Sequence, residues 1–388
     1  MRIQDNRLRP LWMERLYRSG FFDDIRSYGL GSLTWAKLSR EADEVRRRIE
    51  AGAPWPPPEA SRLVLSIPNV TPNTFDLESF AGFVCLPTIL RGILAMEQRM
   101  LHMGAPVYLA ESLMATTAHE LYHIVRFEHY GRKIYALDKT TYDLLLETDL
   151  PDMPLSLLRP PVPEFYLVLP KDNGLTVEAA GDIQPVEGVM VSFPDVEEAV
   201  YGLPARELNV LVTGISPKGD ADDNLTFLSG TLQADTPIRE VRITGAAGST
   251  DFDRILHVIL GTALYLASEH PALEPVPPLK VDLSAIKNPS KRAKAERRLN
   301  QYTRFGYVRI RSAPTAAPSS SHTPTRGRKL DHAVWVRGHW RHQPYGEGRT
   351  LRKWIWIRPH RRGPDMAEAL SMKIAKIQTA RPTKSDGS

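Results

Sequence analysis

One cysteine, Cys85, stands among the 388 residues. No disulfide can close within the chain, and a reducing compartment is the expectation. Cys85 lies in the apolar run FVCLP, which favours a buried, inert thiol. Long apolar runs are missing as well. The longest apolar helical stretch, Ile255 to Ser268, is 14 residues, short of the ~20 that cross a bilayer, and reads as a buried core helix. The opening MRIQDNRLRP has no apolar stretch, so no secretory leader and no membrane are expected, and a cytoplasmic localisation is the expectation. There is no phosphate loop, no dinucleotide-type glycine pattern and no G-x-S-x-G elbow, which removes the commonest nucleotide-dependent and serine-nucleophile enzymes.

The charge is segregated. Residues 1–286 carry 26 Lys/Arg against 39 Asp/Glu, a net of −13, whereas residues 287–362 carry 20 against 3, a net of +17. Such asymmetry marks either a surface for nucleic acid, ribosome or an acidic partner, or a basic part that docks on the acidic body of its own chain.

Apolar periodicity divides the chain into five parts. A helical N-terminal region (1–58) has helices over 8–28 and 33–51, the second with Ser32 as a cap, and ends in the stiff PWPPP. An α+β body (59–312) follows. It starts with a strand over 61–70 and helices over 86–103 and 107–131, and the methionines at 96, 100 and 103 read as core filling. Strand-like runs (RKIYALD, EFYLVLP, GVMVSFP, LNVLVTGIS, NLTFLSGTL) then lead to the very apolar helix of 251–270. A basic helix (287–304) and the strand FGYVRIRS close the body. A Pro/Ser-rich linker (313–328) comes next. Then come a basic module (329–362) and a tail (363–388). In the module, runs over 332–341 and 350–358 flank QPYGEG and read as a hairpin. The fold class is therefore α+β: helices packed on a mostly antiparallel sheet, with a basic Trp-rich C-terminal β-hairpin.

Three constellations bear on function. The second hairpin strand alternates, placing Arg352, Trp354, Trp356 and Arg358 on one face and Lys353, Ile355 and Ile357 on the other. An indole face flanked by guanidinium suits base stacking with phosphate neutralisation, or capture of an acidic or aromatic peptide. It equally suits adhesion of a small hairpin to its body. The second is histidine: His322, His332, His339, His342 and His360 cluster in the C-terminal part, without cysteines to complete a zinc-finger set. The third is His119-Glu120-Leu121-Tyr122-His123, an H-E-x-x-H pattern within a predicted helix. Its spacing puts both imidazoles on one face, where they would share zinc while Glu120 activates the bound water. His129 or Glu147 would be the third ligand. Because Arg126 stands where the metalloprotease pattern turns the chain with glycine, the helix is expected to continue and carry His129 away. The competing reading is an amphipathic helix with scattered histidines.

Two segments carry a family resemblance: VRGHWRHQPYGEGRTLRKWIWIRPHRRG near the C-terminus and YALDKTTYDLLLETDLPDMPLSLLRPPVPEFYLVLP at 135–170. In this order they resemble a family of phages and mobile elements whose characterised member is a type V-A anti-CRISPR protein. The likeness covers roughly residues 130–362. Its most distinctive part is Arg337-Gly338-His339-Trp340-Arg341 followed by a Trp/Ile-rich strand and Pro359. The resemblance implies a non-enzymatic binding protein without cofactor. It would recognise the nascent N-terminal peptide of a type V CRISPR effector in a bacterial host, close to ribosome and mRNA, and lower that nuclease's expression with loss of its message. Arg337, Gly338, His339, Trp340, Arg341, Arg352, Trp354, Trp356 and Arg358 are then the candidate binding residues. A zinc metallopeptidase (Glu120, with His119, His123 and His129 or Glu147) and a general nucleic-acid binder are the alternatives.

Overall fold

The structure, a computed structural model, describes residues 30, 33–57, 80–179, 182–193, 207–214, 232–233, 237–240, 251–268, 271–277, 287–292, 306–311 and 334–362. The predicted helix over 8–28, the strand over 61–70, the linker and the tail lie outside these residues.

The chain opens with four helices: α1 (Trp35–Glu50), α2 (Phe80–Val84), α3 (Pro87–His102) and α4 (Val107–His129). Then follow β1 (Ile134–Leu137), α5 (Lys139–Leu146), β2 (Thr148–Asp149), β3 (Glu164–Val168), β4 (Thr176–Ala179), β5 (Asp182–Ser192), β6 (Glu207–Gly214) and β7 (Leu232–Gln233). The body is completed by α6 (Phe252–Leu266), β8 (Ala272–Val276) and β9 (Tyr307–Arg311). The basic module supplies β10 (Val334–Val336), β11 (Gly338–Tyr345), β12 (Leu351–Ile357) and β13 (His360–Arg362).

Local chemistry sets these boundaries. Thr34, not Ser32, caps α1, its hydroxyl accepting the Lys37 N–H at 3.2 Å. Asp138 does the same for α5 through the Thr141 N–H at 2.7 Å. α4 runs unbroken past Arg126 and stops where Gly131 turns at φ +81°, with the Arg132 N–H closing on the Phe127 carbonyl at 2.8 Å.

The main sheet runs β7-β6-β5-β3-β1-β9-β8, with β4 added to β5. β1 is parallel to β3 and to β9, and the remaining pairings are antiparallel. The expected α+β class with a mostly antiparallel sheet is what forms. β1 and β3 are buried at every position, which is why their sequences read as continuous apolar runs rather than alternating ones.

Both faces of the sheet are covered. On one, Ile124 and Phe127 of α4 meet Tyr166, Val168, Met190 and Leu211. α1, α2 and α3 pack on the far side of α4 through Leu38, Phe83, Ile89, Leu121 and Val125, so helices from both sides of the proline run share one cluster. On the other face α5 and α6 meet Phe165, Leu167, Val189, Val191 and Val210. Each such aliphatic contributes about 1.5–3 kcal/mol when fully buried. α6 is buried at twelve positions from Phe252 to Leu266, and from Val258 onward on every side, because the sheet lies beneath it and the hairpin lies against it.

Candidate functional site

The basic module is one long hairpin with a break in it. β11 and β12 pair antiparallel from His339↔Ile357 to Tyr345↔Leu351, and β10 and β13 continue the same two arms from Val336↔His360 to Val334↔Arg362. At the break, Gly338 faces Pro359. A Cβ at position 338 would stand 2.7 Å from Pro359 Cδ and would overlap Thr148 Oγ1. Glycine is what lets this strand close on the body.

That closure is a sheet contact. β2 pairs in parallel with β11, Gly338↔Thr148 and His339↔Asp149, and the Gly338 N–H donates to the Glu147 carbonyl at 3.1 Å. Trp340 is 7 % exposed and belongs to the core around α6. It stacks on Trp356 at 5.9 Å, and Trp356 meets Tyr265 edge-on at 5.2 Å and donates its indole N–H to Thr148 Oγ1 at 3.0 Å. Farther along the same face His342 stacks on Trp354 at 4.6 Å.

The expected alternation is present, and the two faces divide the work. Gly338, Trp340 and Trp356 hold the hairpin to the body, Trp354 is half-buried against it, and the Arg358 guanidinium lies 5.6 Å from the Trp356 ring. Arg337, His339, Arg341 and Arg352 are exposed, with Arg337 also reaching Asp149 at 3.3 Å. Both partners of that pair are more than half exposed, so it is worth at most about 1 kcal/mol. The charge asymmetry of the sequence is thus partly intramolecular, while most of the guanidinium remains at the surface.

The H-E-x-x-H helix does something else with its residues. His119, Glu120 and His123 are all buried on α4. His123 shares a hydrogen bond with Glu164 of β3, Nδ1 to Oε1 at 2.8 Å, and Arg126 donates Nε–H to Glu164 Oε2 at 3.2 Å. Arg126 also lies over the rings of Tyr122 and Tyr130 at 5.5 and 5.3 Å.

His129 is the last residue of the uninterrupted α4, edge-on to Tyr130. Glu147 is exposed at the end of α5, across the sheet from α4. Neither joins His119 and His123, and among the described residues no three His, Cys, Asp or Glu side chains gather as a metal would require. The cluster ties α4 to the sheet.

Sequence reading missed a cleft of about 310 Å³ beside β2. Asp253, Leu256, His257 and Leu260 of α6 line it together with Asp149, Leu150, Ile238 and Arg239. His257 Nε2 lies 3.1 Å from the Leu145 carbonyl and 2.8 Å from that of Thr148, an arrangement in which Nε2–H donates and pins α6 to the end of α5. The lone histidine in an apolar helix was the available signal. Asp149 and Leu150 come from a segment about a hundred positions away from His257.

An α+β body carrying a basic hairpin docked through the Arg-Gly-His-Trp segment is the class of protein that this architecture defines. Residues 135–360 match the AcrVA2-like family, the anti-CRISPR type V subtype A2 family, and the chain belongs to that family. The match spans β1 through the break in the hairpin, and so includes the body and the docked motif. The crystal structure of AcrVA2 aligns over 90 % of this chain and 96 % of that one, at 14 % identity and a TM-score of 0.42. No curated protein matches the chain. No helix among the described residues is long and apolar enough to cross a membrane.

Proposed function

We propose that this protein binds the nascent N-terminal peptide of a type V CRISPR effector and thereby lowers the effector's expression together with its message. The observation that carries the reading is family membership across residues 135–360. The hairpin supports it physically. Its outer face presents Arg337, His339 and Arg341, and Arg352 stands exposed on the Trp-bearing face near the turn, on a hairpin docked against a body that residues 1–286 make acidic. An emerging peptide meets a preorganised surface there, and RNA phosphates near the ribosome meet guanidinium groups. Binding needs no metal or cofactor, and the body supplies position rather than chemistry.

The test is recovery of the protein from cells translating a type V nuclease, comparing wild type with an Arg341→Glu, Arg352→Glu double variant. These positions are exposed, so the variant keeps its fold, whereas Trp340→Ala would remove a core side chain at about 3–5 kcal/mol. Nascent nuclease chains and their message are enriched with the wild type and depleted with the variant. Enrichment with neither protein overturns the reading.

A further inference from the structure

The hairpin continues past the indoles that dock it. Trp354 still packs against the core around α6. Beyond it, eight consecutive residues from Tyr345 to Arg352 are exposed, yet the strands stay paired as far as Tyr345↔Leu351. At ~3.4 Å per residue, these last pairs carry the ribbon roughly 10 Å from the His342–Trp354 stack to its turn. From Arg337 to Arg358 the chain has six Lys/Arg and one carboxylate, Glu347. Five of the six cations are arginines, whose planar fork pairs with two phosphate oxygens at once.

The pairing places these cations all round the distal ribbon. Arg341 and Lys353 lie on the outer face, Arg352 on the Trp-bearing face and Arg349 at the turn. Arg341, Arg349 and Arg352 are exposed and make no ion pair among the described residues. Arg349 stands at φ +55°, beside Gly348 at +64°, in the left-handed region that glycine takes without strain. Glycine would serve the turn better; what arginine adds there is charge. A surface that lies on a flat partner needs cations on one face only. A ribbon charged on both faces and at its end suits a polyanion that surrounds it. The net −13 of residues 1–286 turns such a partner away from the body and toward the hairpin.

We infer that the distal ribbon enters the major groove of a double-helical nucleic acid, with Arg341, Arg349, Arg352 and Lys353 neutralising phosphates on its two walls. The exposed Tyr345 and Leu351 stand at the leading end, the Tyr345 ring 5.0 Å from the Lys353 ammonium. The major groove of B-form DNA is about 12 Å wide and admits a two-stranded ribbon, whose strands lie about 4.8 Å apart. An RNA stem offers the same two phosphate rows where an internal loop interrupts its narrow groove. The inference goes beyond the peptide reading and does not depend on it, since the partner is a polyanion.

The experiment is fluorescence anisotropy of the full chain with three dye-labelled probes of about 20 nucleotides per strand, between about 50 and about 200 mM salt. The probes are a DNA duplex, an RNA stem with a central internal loop, and an unpaired DNA strand. At least one double-helical probe binds at least about tenfold more tightly than the single strand, and which one it is names the source. Its log K falls with log salt at a slope of about −3 to −4, as four phosphate contacts require. Arg349→Gly relieves the turn, so it keeps or raises the Tm while making the slope shallower by about 1. The triple variant Arg341→Gln, Arg349→Gly, Arg352→Gln lowers the affinity at least about tenfold and flattens the slope further. Equal binding of the single strand, no binding of any probe at about 50 mM salt, or an unchanged slope in the triple variant overturns the assignment. Each of these outcomes leaves peptide recognition standing, because no probe contains a peptide.

Discussion

The H-E-x-x-H helix meets the sheet through one carboxylate. Glu164 is fully buried between His123 and Arg126, and it lies 41 positions from His123 in sequence, so the motif alone could not reveal it. The helical spacing of His119 and His123 was legible; the strand residue that pairs with His123 was not. Glu164→Gln leaves the Arg126 guanidinium buried without its counter-charge, and urea unfolding should show a loss of about 3–5 kcal/mol. A loss below about 1 kcal/mol would contradict the tie between α4 and the sheet. Cys85 makes the opposite case, where the apolar run around it told the outcome. Burial pushes its thiol up from 9.0 to about 12. The folded protein therefore holds a proton that the unfolded chain releases from about pH 9, so this residue's contribution to stability falls as pH rises from about 9 to about 12. Native protein at pH 8 should resist iodoacetamide, with alkylation appearing only on unfolding. Rapid alkylation of folded protein would contradict the burial.

At the scale of elements, most strands and helices of the body were legible because each is a strong local pattern. The fully buried β1 and β3 are apolar runs, α6 is apolar all round from Val258 onward, and the hairpin alternates about a Gly-containing turn. What joins them was not legible. The Trp356–Thr148 hydrogen bond links residues 208 positions apart, and the β2–β11 pairing occupies only two residues of each strand. Alternation identified the indole face, and only the docking decides that Trp340 and Trp356 turn inward while Arg341 stays out. Gly338→Ala tests that docking. The added Cβ meets Pro359 and Thr148, so the variant should lose about 1–3 kcal/mol as overpacked sites do. Its tryptophan emission should shift to the red, and hydrogen exchange should accelerate at β2 and β11. Unchanged emission and exchange would mean that the contact at the break is dispensable.

The whole molecule joins a three-layer body to a hairpin that completes one side of its core. Charge segregation was visible in composition and has two outlets, the Arg337–Asp149 contact and the exposed guanidinium groups of β11 and β12. The strand order was beyond sequence reading, because β9 reaches its place beside β1 only after α6 and β8 have been laid down, and no local pattern encodes that insertion. Family membership, legible in the Arg-Gly-His-Trp segment, joins this architecture to the anti-CRISPR type V subtype A2 proteins. The central claim is that the protein acts through the target's leading peptide. The most direct measurement is the level of a type V nuclease and its message in cells making this protein, for the native nuclease and for one whose leading segment is replaced. The account predicts that both protein and message fall for the native nuclease and hold for the replaced one; unchanged levels for the native nuclease, or an equal fall for both, would contradict it.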